Sequence, residues 1–431
     1  MAEKCKSSRN AVINQNTIML NVLINAYAVS PTWGSEQGVG WNWIISIARY
    51  CNVFVITESE YEKEIKLALE SHPYKERIHF FFNAVTPEVR KKCWNQGDWR
   101  FYLYYERWQR KTLKIAKQIV KENRIDVIHH LNMVCFREPG YLWGVEGIPF
   151  VWGPIGGMNR LPSMFTKGMP LKKRLFYLVK NTITYLQSHY SRRVRKAVAH
   201  SDAIISATAS AYDVLTKYYK HHHVEFINET GVDMSKSIAV KHDYNHDCLE
   251  LLWVGRFLIT KRLDIALEAI AACKQQNVHL TIAGTGHDAD VEHYHTYAKH
   301  LGIDNKITWL GRVPNEEVQH LMKKSDAFFF TSVAEATSTV VPEAMSNNLP
   351  IICFNACGFG HLVKDKVGLT VELQDPKSAS VEFAKIIDKV AEDKRILLAY
   401  SEACNKYKYE LSWEWKAKKV LDIYEGIVHK D

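Results

Sequence analysis

Arg256 and Lys261 stand in VGRFLITKRLD, where a short apolar run ends in a glycine and a helical pattern begins. Two cations at one strand end can hold a diphosphate, because guanidinium and ammonium groups make charge-assisted hydrogen bonds to phosphate oxygens. Cations at a helix start oppose the helix dipole, and a bound anion removes that conflict. The plainer alternative is a pair of exposed bases. Farther on, AEATSTVVPEAM places Glu335 in a loop and Glu343 in the first turn of a helix, with Ser338 or Thr339 as its cap and Pro342 tolerated near its start. Glu343 by itself suits the dipole. Glu335 together with the free amides of that helix start makes a polar pocket able to take sugar hydroxyls or phosphate. Gly284 and Gly286, in IAGTG, follow another strand of the same half.

Other constellations are weaker. GSEQGVGWNW carries Gly34, Gly38 and Gly40 ahead of a helix expected to begin near Trp41. Such glycines either let amides approach a phosphate or serve packing, and the spacing is wrong for the GxGxxG of a dinucleotide site. His129 and His130 end the fourth strand and project to opposite faces, so at most one can face a cleft. GPIGG (153–157) adds a second glycine loop on that sheet edge. The side chains of His221, His222 and His223 diverge, and Asp288 and Asp290 open a helix where acids suit the dipole, so no metal site is expected. Nine cysteines without paired spacing point to reduced thiols, and Cys353 and Cys357 read as small buried hydrophobes.

The elements that must position these residues alternate along the chain. Short apolar runs read as strands buried on both faces: TIMLNVLINA, NVFVIT, RIHFFF, IDVIHH, PFVW, AIISA and VEFI, then LELLWV, VHLTIA, ITWL, AFFF and PIICF. Helical patterns fill the gaps, among them one from Tyr104 to Val120 and one beginning at Leu263. Two parallel α/β sheets follow, as 431 residues also suggest. The polar stretch KHDYNHDC marks the linker. The organisation expected is residues 1–240 as a first Rossmann-like domain, 241–248 as linker, 249–412 as a second such domain, and 413–431 as a helix packing back on the first. No apolar run nears the ~18 residues of a membrane span, and the start lacks the apolar core of a signal peptide. A cytoplasmic protein is therefore expected. The formal charge of +9 is concentrated between Arg160 and Ser201, which holds ten Lys and Arg and no Asp or Glu. There, LKKRLFYLVKNTITYL interleaves Lys172, Lys173 and Arg174 with apolar groups, an amphipathic pattern suited to an anionic membrane surface. Packing of those apolar groups on the first domain is the alternative. No recognisable nucleic-acid module accompanies the bases.

In this order, the residues resemble glycosyltransferase family 4, retaining enzymes of the GT-B fold with two facing Rossmann-like domains. The most specific match is the family's E-x7-E signature, Glu335 to Glu343, joined by G-R-x4-K at Arg256 and Lys261. The resemblance implies that Glu343 binds the nucleotide ribose and Glu335 a hydroxyl of the donor sugar. Arg256 and Lys261 would hold the diphosphate, and the backbone near Arg312 and Val313 would line the base pocket. Gly38, Gly40, His129, Gly284, Gly286, Ser338 and Thr339 complete the donor side, and His130, Glu335, Arg256 and Lys261 the catalytic set. GSEQGVGWNW, DVIHH and VWGPIGG look like members that build bacterial surface polysaccharides on a lipid carrier. The implied reaction moves a hexose from a nucleotide-diphosphate sugar to a saccharide acceptor and requires no cofactor. Two departures stand out: Ala336, Thr337 and Ser338 replace the family's glycine-phenylalanine-glycine, and His129-His130-Leu131 replaces its His-x-His, with His130 favoured at the sugar. Rival readings are a glycoside hydrolase using Glu335 and Glu343 as acid and base, and a non-catalytic nucleotide-sugar-binding protein.

Overall fold

The computed structural model describes residues 19–93, 100–132, 135–167, 169–234, 240–335, 338–364 and 366–429. The apolar runs form two sheets. The first contains β1 (Asn21–Ala26), β2 (Asn52–Thr57), β3 (Ile78–Phe82), β4 (Val127–Asn132), β5 (Phe150–Ile155), β6 (Ala203–Ser206) and β7 (Val224–Phe226) in the order β3-β2-β1-β4-β5-β6-β7. The second contains β8 (Leu249–Val254), β9 (Val278–Ala283), β10 (Ile307–Gly311), β11 (Ala327–Phe330), β12 (Ile351–Phe354) and β13 (Gly368–Val371) in the order β10-β9-β8-β11-β12-β13. Every neighbouring pair is parallel. This is the two-sheet α/β architecture expected from the sequence.

The helices that matter for the site are α1 (Ser35–Ile47), α2 (Arg100–Glu122), α3 (Leu171–Tyr190), α4 (Leu263–Ala272), α5 (Asp288–His300), α6 (Asn315–Lys324), α7 (Val340–Ser346) and α8 (Trp413–Val428). α8 returns to the first sheet: Val420, Ile423, Tyr424 and Ile427 are buried in one cluster with Val22, Ile24, Trp43 and Val53. The amphipathic C-terminal pattern therefore finds its apolar partner there, as expected.

Three local readings need correcting. α1 starts at Ser35, directly after Gly34, so Gly38 and Gly40 lie inside the helix and not ahead of it. A Cβ on Gly38 would meet the Trp33 carbonyl oxygen at 2.5 Å, which gives this glycine a packing reason. β13 was not foreseen, because Gly368-Leu-Thr-Val is short and opens on a glycine. That glycine is needed, since a Cβ there would lie 1.9 Å from the Ile351 carbonyl oxygen. Finally, the chain leaves the first domain before the polar stretch at 241–248. Ile227 packs in the first domain's core, Val232 already packs in the second's, and within the stretch His242 and Tyr244 are buried. Val232 pairs in parallel with Ser412, so the two passages between domains run side by side.

Candidate active site

Both sheets reverse their strand order between two neighbours, β1/β4 and β8/β11, and in open parallel sheets ligands bind beyond the carboxyl ends at such a point. The loops after β8 and β11 carry Arg256, Lys261 and Glu335. These two loops are fastened together: the Thr260 carbonyl accepts from the Val333 amide at 2.9 Å, and the Lys261 carbonyl accepts from the Thr331 hydroxyl at 2.9 Å. Trp253 Nε1 in turn donates to Thr331 Oγ1 at 3.1 Å. Held this way, the Lys261 ammonium forms an ion pair with the Glu335 carboxylate and lies 4.9 Å from the centre of the Phe330 ring. Their side chains are only 15% and 12% exposed, so water screens the pair weakly. Arg256 stands one residue beyond Gly255 and is exposed.

Gly284 and Gly286 let the β9 loop pass close to the β8 loop. A Cβ on Gly284 would lie 1.9 Å from the Gly255 carbonyl oxygen, and one on Gly286 would lie 2.8 Å from Phe257 Cβ. Arg262, directly after Lys261, has φ 51°, a left-handed conformation that non-glycine residues adopt rarely. It is buried, its guanidinium bonds both oxygens of Asp264, and it sits 5.1 Å from the Phe165 ring of the first domain.

Glu343 faces a separate cavity of about 340 Å³ lined by Thr230 and Asp233 of the passage between the domains and by Asn315, Gln319, Lys323 and Thr339 of the second domain. Burial pushes its carboxyl up to about 7, against hydrogen bonds from Asn315 and Gln319 that favour the ionised form. Gln319 Nε2 donates to Glu343 Oε2 at 3.3 Å. Thr339 occupies the cap position of α7, yet its side chain makes no capping bond, and Ser338 is buried. Ala336 and Thr337, where the sequence departs from the family pattern, lie outside the described residues. Arg312 is exposed after β10, and Val313 packs beside the second domain's core.

Both histidines are buried within the first domain. His129 Nε2 donates to the Gly153 carbonyl at 2.8 Å, which leaves Nδ1 to accept the Tyr424 hydroxyl of α8. Both ring nitrogens are thus engaged inside the first domain, and burial lowers the ring to about 4, leaving it neutral. His130, on the other face, accepts from Asn25 Nδ2 at 2.9 Å through Nδ1; Asn25 also donates to Gln109 of α2 at 2.8 Å. It is 1% exposed and is lowered to about 3 by burial. Asp288 and Asp290 occupy the first turn of α5, as the dipole favours. Among the described residues no group of three His, Cys, Asp or Glu has a metal-holding arrangement.

Three contributors escaped the sequence. Asn159 of the first domain donates through Nδ2 to the Glu335 carbonyl and accepts from the Ser210 hydroxyl, so it spans the domains. The Glu335 amide donates to Cys357 Sγ at 3.2 Å. Thr230 to Asp233 supply one wall of the Glu343 cavity. Only the glycine loop just ahead of Asn159 gave a signal, since contacts between domains leave no periodicity.

Residues 235–410 match the family model described as Glycosyl transferases group 1. An uncharacterised glycosyltransferase of Methanocaldococcus jannaschii is 27% identical over 200 residues, covering 46% of this chain and 49% of that protein. The chain thus spans about half the length of that curated relative. Among solved structures, the lipopolysaccharide outer core galactosyltransferase WaaB aligns with a TM-score of 0.61 at 15% identity, over 93% of this chain and 98% of WaaB. Anabaena HepE in complex with UDP aligns with a TM-score of 0.59 at 16% identity, over 95% and 100%. With its two parallel sheets and a last helix packed on the first, the chain has the GT-B fold of these glycosyltransferases.

Proposed function

We propose that this protein is a retaining glycosyltransferase of family 4 type that moves a hexose from a nucleotide-diphosphate sugar to a hydroxyl of a lipid-linked saccharide in surface polysaccharide synthesis. The observation that carries the reading is the Lys261–Glu335 pair at the switch point of the second sheet, with Glu343 lining a cavity from the first turn of α7. Breaking a sugar–diphosphate bond builds negative charge on the leaving phosphate, and preorganised cations beside it lower that barrier. Arg256 and Lys261 supply them, so a metal is not required for neutralisation. Lys261 now holds Glu335; a donor diphosphate would share its ammonium and leave the carboxylate to accept a sugar hydroxyl. The acceptor hydroxyl then attacks from the leaving-group side, with the phosphate taking its proton and no side chain acting as nucleophile. Glu343 would accept the ribose hydroxyls. Both histidines then act from within the first domain and support the acceptor side indirectly.

The solved relatives support a nucleotide-sugar donor, since HepE forms complexes with UDP and with UDP-glucose. The membrane part of the reading rests on α3. Leu171, Leu175, Phe176, Leu178 and Val179 are between 48% and 79% exposed beside the exposed Lys172, Lys173 and Arg174. We place that helix on the anionic inner face of the cell membrane, next to the lipid-linked acceptor. A thermal-shift screen against uridine, guanosine and adenosine diphosphates and their sugars tests the donor. Stabilisation by one base series supports transfer; stabilisation by none, with release of sugar from a nucleotide-free glycoside, establishes the hydrolase instead. Binding of a donor without turnover on any acceptor would favour the sensor.

A further inference from the structure

We propose that α3 sets the position of Glu335 through Asn159, so that contact of the helix with an anionic lipid surface tightens the segment from Val333 to Glu335 after β11. The proposal builds on the membrane reading of α3 and adds a mechanical link from that face to the donor carboxylate.

The link is a run of three residues. Asn181, on α3, clamps Leu161 from both sides: its Oδ1 accepts from the Leu161 amide at 3.1 Å and its Nδ2 donates to the Leu161 carbonyl at 2.7 Å. The Arg160 guanidinium stacks on Tyr185 of the same helix, 5.2 Å from its ring centre. Asn159 then reaches the second domain and donates to the Glu335 carbonyl. Three residues span at most about 10 Å and are gripped at each position here, so a shift of α3 has no slack in which to be lost.

The far side of the same segment is equally committed. Leu161 and Phe165 are buried in the second domain's core, where Phe165 packs edge-on against Phe354 at 5.9 Å and beneath Arg262. Tyr177 of α3 packs against the same cluster. The helix whose outer surface is apolar and basic is thus the one that grips the segment whose Asn159 reaches Glu335 and whose Phe165 lies under Arg262. By linkage, whatever the lipid does to the loop, a ligand on the loop does to lipid affinity by the same factor. Asn159 and Asn181 act as positioning residues.

Hydrogen exchange tests this with vesicles of phosphatidylglycerol and phosphatidylcholine. The Val333 and Glu335 amides, bonded to Thr260 and Cys357, should exchange at least about fivefold more slowly in wild type with vesicles, the low end of ordinary coupling. Asn181→Ala should pellet with the same vesicles but lose that response. Asn159→Asp, which keeps the Ser210 bond and removes the donor to Glu335, should lose it too, and it guards against a clamp variant that fails to fold. Vesicle-bound wild type with unchanged exchange would overturn the proposal, as would an Asn181→Ala response equal to wild type. If wild type does not pellet, the membrane reading fails separately; Asn181→Ala must then show faster exchange at Val333 and Glu335 in solution, and equal exchange would end the proposal.

Discussion

The Lys261 ammonium meets the Glu335 carboxylate across the gap between the loops that follow β8 and β11. Each neutralises the other in a poorly screened setting, so a ligand must offer both a diphosphate for the cation and a hydroxyl for the acid to replace the pair without loss. That double requirement is the chemistry of a nucleotide sugar.

Arg256→Ala should weaken binding of the nucleoside diphosphate by about 1.5 to 3 kcal/mol, the range for hydrogen bonds to charged groups, and leave nucleoside binding nearly unchanged. Calorimetry with both ligands checks it. Equal diphosphate affinity would remove Arg256 from the site.

Glu335→Gln should cut turnover with little effect on nucleotide affinity, while Glu343→Gln should chiefly raise the donor KM. The two acids line different walls, one paired to Lys261 and one in the cavity between Thr230 and Lys323. Equal effects of both on the free nucleotide would contradict that division.

Burial raises the Glu343 carboxyl to about 7 in the folded protein. The folded chain therefore holds a proton that the unfolded chain has released above its ordinary carboxylate value, and this contribution to stability falls as pH rises towards 7. Ribose hydroxyls bond best to the ionised form, so nucleotide affinity should rise with pH and level off above about 7. Glu343→Gln should flatten both profiles, in urea unfolding and in titration at pH 5.5 and 8. A wild-type affinity independent of pH would place the ribose elsewhere.

Activity should survive exhaustive EDTA treatment if Arg256 and Lys261 supply the charge on the diphosphate. Complete loss restored by manganese would return attention to Asp288 and Asp290.

Wild type should pellet with anionic and not with neutral vesicles, and less so at high salt. Changing Lys172, Lys173 and Arg174 together to Gln should keep it in the supernatant, since each base is worth about 1 kcal/mol near such a surface. Sedimentation indifferent to lipid charge would contradict the docking.

The strands were legible because each is a short apolar run, and β2, β8, β9 and β11 occupy the residues read for them. β13 was hidden by its brevity and its glycine. The types and spacing of Arg256, Lys261, Glu335 and Glu343 were legible too, but not that Lys261 and Glu335 pair, because that depends on β8 lying beside β11. His129 and His130 were visible only as a doublet; their burial comes from α8 and α2 closing over opposite faces of β4. Apart from the glycine loop ahead of it, Asn159 had no sequence signal for its bond to Glu335, nor had Arg262 for its place over Phe165, since each of those partners belongs to the other domain.

The return of α8 has a consequence for the order in which the molecule can be made. Tyr424 bonds His129, and Val420, Ile423 and Ile427 pack among Val22, Ile24 and Val53. On a ribosome these partners emerge only after the whole second domain has been translated. The first sheet must therefore wait with part of one apolar face, the part beside α1, uncovered while the second sheet folds, so the amino-terminal half of the sequence is the last half to be finished.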